Sequence, residues 1–262
     1  MNAATAAMSR PRPSLPVAAL LGATLLAACG QAPATVPQRQ RVTQQALPAA
    51  PAPLAPVPTG AGAGEPTLRA RVDAAVAKLD AVRSISGKLA FREFKASEQD
   101  HGDAAIAFRR KPFAARVDVL ESNRLIAHGG ALLWKGGTTI QIKPLKMPFT
   151  LDFSWEDAKV VSLRGYRIDQ TDIFSMGKVL RHPAAQLKDA GVKRLRGETL
   201  YCVDVVSPSS LPDVKREVIG LSATHGIPVY REMYDAQGRL VHQGQGYELQ
   251  IDRPVPADRF EL

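Results

Sequence analysis

Long apolar runs are missing from this sequence. The apolar stretch at residues 17–26 is rich in Ala and Leu but only about ten residues long, half of what a helix needs to cross a bilayer. It reads as a secretion-signal core and not as a permanent anchor. Metal and catalytic signatures are missing as well. His101, His128, His182, His225 and His242 fall in no His-x-x-x-His or Cys-containing array, so zinc has no ligand set and no cofactor is expected. There is no Gly-x-Ser-x-Gly elbow and no Gly-rich phosphate loop, and Ser, His and Asp follow no triad pattern. Asp169, Asp172 and the Glu156-Asp157 pair are conceivable acid–base partners, but charges on solvated loops are the plainer reading. An enzyme is not expected. Nor is a nucleic-acid partner, because basic residues are not interleaved with aromatics and no binding module is recognisable.

The chain opens with Arg10 and Arg12 and no acid before the apolar stretch, which is the charge pattern of a secretion leader. The stretch ends in Leu26-Ala27-Ala28-Cys29. This resembles the lipobox of bacterial lipoproteins, which implies cleavage between Ala28 and Cys29 and attachment of diacylglycerol to the Cys29 thiol. Each buried methylene contributes about 0.8 kcal/mol, so two or three acyl chains, palmitate among them, hold a protein durably on a membrane. Residues 1–28 are then the signal peptide. Residues 29–66, rich in Pro, Ala, Gln and Gly, cannot bury enough apolar surface to offset chain entropy and read as a disordered tether. Gly30 is not the Asp that retains many such proteins in the inner membrane. The expected address is the cell envelope, at the outer membrane facing the periplasm.

Residues 67–262 remain as one domain, with 30 Lys plus Arg against 24 Asp plus Glu, a net of +6. Such a charge favours solubility and, to a lesser degree, anionic lipid surfaces. With Cys29 lipidated, Cys202 has no partner for a disulfide. Set in an apolar run, it reads as a buried, inert thiol.

Thr67 is placed to cap a helix in which Leu68, Val72, Ala75, Val76, Leu79 and Val82 recur at helical spacing. The period then changes to two. Ile85 to Phe91, Ala104 to Phe108, Ala115 to Val119, Leu125 to His128, Ala131 to Trp134 and Thr138 to Lys143 predict successive strands joined by turns at Arg110-Lys111-Pro112 and Gly136-Gly137. Leu145, Met147, Phe149, Leu151 and Phe153 continue the alternation. A short helix around Ile173, Met176, Gly177 and Leu180, stopped by Pro183, interrupts the meander, followed by a turn at Gln186 to Lys188. Four more strands and an irregular end around Pro254, Pro256 and Phe260 complete about ten strands. So many antiparallel strands with so little helix predict a mainly β, α+β fold: a curved antiparallel sheet forming a half-open barrel, with an N-terminal helix and a short helical lid.

The order of these elements, with Ser84-Ile85-Ser86-Gly87-Lys88-Leu89, Arg109-Arg110-Lys111-Pro112-Phe113, Asp235-Ala236-Gln237-Gly238 and Pro254-Val255-Pro256-Ala257-Asp258-Arg259-Phe260, resembles the lipoprotein-carrier superfamily. That is the fold shared by the carrier LolA, the acceptor LolB and related outer-membrane lipoprotein-sorting domains. The resemblance implies an unclosed sheet whose lining binds acyl chains of lipoproteins or other amphiphiles. Candidate lining residues are Phe91, Phe108, Val117, Val119, Leu133, Ile140, Ile142, Phe149, Leu151 and Phe153, with Met176 and Leu180 on the lid. Each also fits an ordinary core. Trp134 and Trp155 fit either a membrane-facing mouth or interior packing. Two functions stay open: a membrane-tethered binder of a hydrophobic ligand, with a role in lipoprotein sorting or reception, and an envelope sensing or interaction lipoprotein that binds a protein partner with no ligand cavity.

Overall fold

A computed structural model describes residues 66–123, 129–145 and 147–262. The signal, Ala28, Cys29 and the tether lie outside the described residues, as does the strand expected at Leu125 to His128. The first element is α1 (Leu68–Ala81). The Thr67 hydroxyl accepts from the Ala70 N–H at 3.3 Å, and Val72, Ala75, Val76 and Leu79 form the buried stripe that the 3.6-residue period requires. At the other end the Arg110 guanidinium donates to the carbonyls of Val82 (2.8 Å) and Leu79 (3.3 Å), which satisfies orphan acceptors and places a cation at the negative helix end.

Among the described residues eleven strands follow: β1 (Ser84–Lys95), β2 (Glu98–Arg109), β3 (Ala114–Ser122), β4 (Ala131–Trp134), β5 (Thr139–Lys143), β6 (Leu151–Ser154), β7 (Gln186–Leu195), β8 (Glu198–Val206), β9 (Arg216–Ser222), β10 (Pro228–Tyr234) and β11 (Leu240–Ile251). Two short helices, α2 (Ile168–Thr171) and α3 (Ile173–Arg181), lie between β6 and β7, and a 3₁₀ turn (Ala257–Phe260) ends the chain. All strands belong to one open antiparallel sheet, in the order β6-β5-β4-β3-β2-β1-β11-β10-β9-β8-β7. Each half is therefore a meander of local hairpins, joined at the centre by the pairing of β1 with β11, where a register shift sits at Gly87. Its φ of +151° and a neighbouring Glu248 carbonyl 2.9 Å from any added Cβ leave room only for glycine.

In the β7–β10 half both faces of the sheet are buried: Cys202, Val218 and Tyr230 pack on one, and the helices cover the other. Val72, Ala75 and Val76 of α1 and Met176, Val179 and Leu180 of α3 pack on Val203, Val205, Ile219 and Leu221. The helices can approach this closely because α3 presents Gly177 to Leu79; a Cβ there would come within 2.9 Å of a Leu79 methyl. The second packed layer is on the opposite face of β2–β4, where Phe260 is buried against Ala107, Ala114 and Leu133. Arg259 pairs with Asp118 (2.6 Å), and Arg116 donates to the Arg259 and Glu261 carbonyls, so the C-terminus is fastened to the sheet. The expected irregular end is thus a built plug.

Two sequence expectations need correction. Gln186 to Lys188 is no turn but the start of β7, a strand whose residues are mostly exposed on both faces. An edge strand with no buried face has no alternation to read, and Lys188-Asp189-Ala190-Gly191 mimics turn chemistry because a bulge between Asp189 and Val192 does contain a local turn. Conversely, the alternation from Leu145 to Phe153 is strand only over Leu151–Ser154. Pro144 and Pro148 remove backbone donors from the preceding segment, and its apolar side chains stand in solvent.

Candidate ligand-binding face

Direct cross-strand partners share a face, so the register defines what each face of the β2–β6 half carries. One face holds a ladder of Ile106, Val117, Leu132, Ile142 and Leu151. Beside it runs a second ladder of Phe108, Ala115, Trp134, Ile140 and Phe153, and on the other side Ala104 pairs with Val119. On β1, Leu89 and Phe91 continue this face opposite Ala104 and Gly102. The reverse face carries Ala107, Arg116, Leu133, Gln141 and Asp152 in one ladder. The contrast is a wholly apolar face against a mainly polar one, across roughly 19 Å of strand spacing.

The apolar face is only partly covered. Ile140 is buried, whereas Ile106, Phe108, Val117, Val119, Leu132, Trp134, Ile142 and Phe153 are half-buried and Leu151 is 40% exposed. In the other half of the sheet the corresponding face is filled by α1 and α3. The two halves meet where Phe174 of α3 contacts Phe108, with ring centroids 4.5 Å apart. From there a chain of aromatic contacts runs along one rim: Phe108 to Phe113 (5.7 Å), Phe113 to Trp134 (4.9 Å) and Trp134 to Trp155 (6.2 Å). This rib closes one end of an apolar trough. A strap closes part of its top. It leaves β6 at Trp155, whose N–H donates to the Thr138 carbonyl (2.8 Å), and reaches β1, where buried Glu93 accepts from the Ser162 hydroxyl (2.9 Å) and the Arg164 N–H (3.0 Å). Lys159 lies over the Phe153 ring (5.1 Å) and Arg167 over the Trp155 ring (4.4 Å).

Eight of the twelve expected lining residues come together here: Phe91, Phe108, Val117, Val119, Ile140, Ile142, Leu151 and Phe153. Leu133 is not with them, because it is one residue out of phase with Leu132 and Trp134 and is buried on the reverse face under Phe260. Met176 and Leu180 are on α3 but turn into the helix–sheet core of the other half. Phe149 is at the trough's open rim, in the β5–β6 connection. Ile106, Leu132 and Trp134 belong to the face and were not among the expected lining. The expected carboxylates are structural: Asp169 and Glu156 face Arg167, and Asp157 accepts from the Lys159 N–H. Cys202 is buried, which pushes its thiol up to about 11. A separate cavity of about 380 Å³, lined by Gln186, Val206, Ser207, Leu211 and Val214 among others, lies at the β7–β8 side and shares no residue with the trough.

The helix bearing Phe174 is capped by a buried carboxyl. Asp172 caps α3, accepting from the Ser175 N–H at 2.7 Å. Burial pushes its carboxyl up to about 6, only partly offset by that hydrogen bond, Lys178 and Arg231. The folded state therefore holds the Asp172 proton more tightly than the unfolded chain does. Stability from this group is full below the unfolded value near 4 and is lost as pH rises through about 6. Asp172→Asn is expected to flatten that part of the stability-versus-pH curve in chemical denaturation, whereas an unchanged slope would assign it to other groups.

No protein-family model matches the chain, and no curated protein matches it in sequence. Solved structures do resemble it. The lipoprotein LppX of Mycobacterium tuberculosis is 14% identical, with 74% of this chain and 100% of that chain covered and a TM-score of 0.49. A conserved protein of Thermus thermophilus, described as uncharacterized, is 9% identical over 73% of this chain and 91% of its own, TM-score 0.45. A LolA superfamily protein of Nitrosomonas europaea is 13% identical over 72% and 96%, TM-score 0.33. Likenesses this distant carry nothing about ligands; the single open antiparallel sheet is established by the strand pairings themselves.

Proposed function

We propose that this chain is a non-enzymatic, lipid-anchored envelope protein that holds a hydrophobic ligand, a lipoprotein acyl chain or another lipid, in the apolar trough over β2–β6. The observation that carries the reading is the asymmetry of the sheet: helices fill one half, while the other presents two apolar ladders that remain half-exposed. A face of that kind is costly in water unless it meets a partner. An extended acyl chain matches its shape and needs no polar recognition beyond its head group. A tethered protein cannot ferry cargo across the periplasm, so reception within tether reach is favoured over shuttling.

Native mass spectrometry of the protein purified from its own envelope tests the ligand: a co-purifying lipid is the expected result, and a ligand-free spectrum together with no uptake of a fluorescent fatty acid contradicts it. The anchor is tested separately. Cys29→Ala is expected to move the protein from the carbonate-washed membrane pellet to the supernatant, because peripheral contacts do not survive that wash and acyl anchors do. Unchanged fractionation contradicts lipidation at Cys29.

A further inference from the structure

The end of the trough opposite the aromatic rib has a different character. Leu120, Leu145, Met147, Phe149 and Leu151 are 49%, 47%, 46%, 49% and 40% exposed. In an antiparallel meander the end of β3, the β5–β6 connection and the start of β6 fall on one rim, so five exposed large apolar side chains gather there. Leu145 also lies beside Gly129, just ahead of β4, on that same rim. Scattered exposed apolar residues are ordinary, but a cluster of five projecting from strand ends is a feature that water penalises.

Charge indicates the occupant. Residues 143–151, which carry four of the five, contain two lysines and no acid; Glu121 and Asp152 follow Leu120 and Leu151. Exposed apolar side chains in a lysine-bearing stretch of sequence suit an anionic bilayer surface, whose head-group boundary accepts apolar side chains and whose phosphates attract basic segments. A protein partner of comparable affinity would need a broader packed face. The direction of α1 agrees. The C-terminal end of α1 packs with Ile85, Leu200 and Ile227 near the far rim, while Val72, toward its N-terminal end, packs with Val205 near the end of β8. Thr67, which receives the preceding residues, is therefore directed toward the exposed rim.

We propose that this rim, formed by Leu120, Leu145, Met147, Phe149 and Leu151, docks on an anionic membrane surface with the open end of the trough facing the lipid. The trough's use for a ligand rests on the reading above; the docking does not. In this orientation an acyl chain leaving the bilayer meets Leu151 and Ile142 first and then runs along the strands, across the two ladders, toward the aromatic rib. Lys135, in the β4–β5 turn, is on the rib side and stays away from the membrane.

The test uses the full chain carrying Cys29→Ala, with a polarity-sensitive fluorophore on Met147→Cys or, separately, on Lys135→Cys; Cys202 is buried and does not compete. On vesicles of phosphatidylethanolamine and phosphatidylglycerol, the label at 147 is expected to shift to the blue, brighten several-fold and be quenched by brominated acyl chains, while the label at 135 remains in water. The contrast between the two sites decides, since both chains carry the same N-terminal segment to the vesicle. If the label at 147 stays in water, or both labels respond alike, the docking is overturned. Fatty-acid uptake in vesicle-free solution is measured on the same samples, so a failure of docking is distinguishable from a failure of ligand binding.

Discussion

Replacing Arg231 with methionine is expected to cost the fold about 3–5 kcal/mol, the range for breaking a buried ion pair from one side. The Arg231 and Glu217 side chains are 4% and 0% exposed and meet at 2.5 Å. Arg231 also donates to the Ser175 hydroxyl (2.9 Å) and the Gln170 carbonyl (3.0 Å), and Glu217 accepts from the Ser210 hydroxyl (2.6 Å). Arg231 therefore ties α2 and α3 to β10 and, through Glu217, to β9. Methionine keeps the stem but leaves a carboxylate in a dry site with one hydroxyl for company. A domain of this size has only about 5–15 kcal/mol in hand, so the variant is expected to be marginal. The double variant Glu217→Leu with Arg231→Met removes both charges and is expected to recover most of the loss. Guanidinium denaturation gives both values; a loss below about 1 kcal/mol for the single variant would show the pair to be hydrated.

A glutamine at Val117 is expected to leave stability nearly intact and to weaken fatty-acid binding about thirtyfold. Val117 is inside the aliphatic ladder between Ile106 and Leu132. A polar amide there displaces two or three ligand methylenes at about 0.8 kcal/mol each, or about 2 kcal/mol, which converts to that factor in affinity. Gln141→Lys, on the reverse face opposite Leu133 and Asp152, is the control and should bind as the parent does. Titration of a fluorescent fatty acid against both variants measures the difference. Equal losses would mean that binding does not use this face.

The half-open barrel was legible in the sequence because most strands here are neighbours in a meander with one apolar face, and alternation reports a face directly. It fails where the face is not simple. Ala131-Leu132-Leu133-Trp134 is apolar throughout, so nothing local tells which residues point to the trough; that is settled by Phe260, which takes Leu133 from the other side. Ile106 was readable, since it shares its alternation with Phe108, and its omission from the expected lining was an error of selection. For Met176 and Leu180, helical spacing predicts burial but not the surface that buries them. The Arg231–Glu217 network and the Glu93 clasp on the strap had no readable signal, because a charged residue within a strand ordinarily marks the solvent side. β7 was hidden for the converse reason: an exposed edge has no buried face to impose a pattern.

The most direct test of a ligand in the trough is photoaffinity mapping with a diazirine-bearing fatty acid. The expected adducts fall on Ile106, Val117, Leu132 and Ile142, the half-buried ladder of β2–β5, and are competed by unlabelled fatty acid. Adducts confined to the cavity around Leu211 and Val214, or none that compete, would contradict a ligand site on this face.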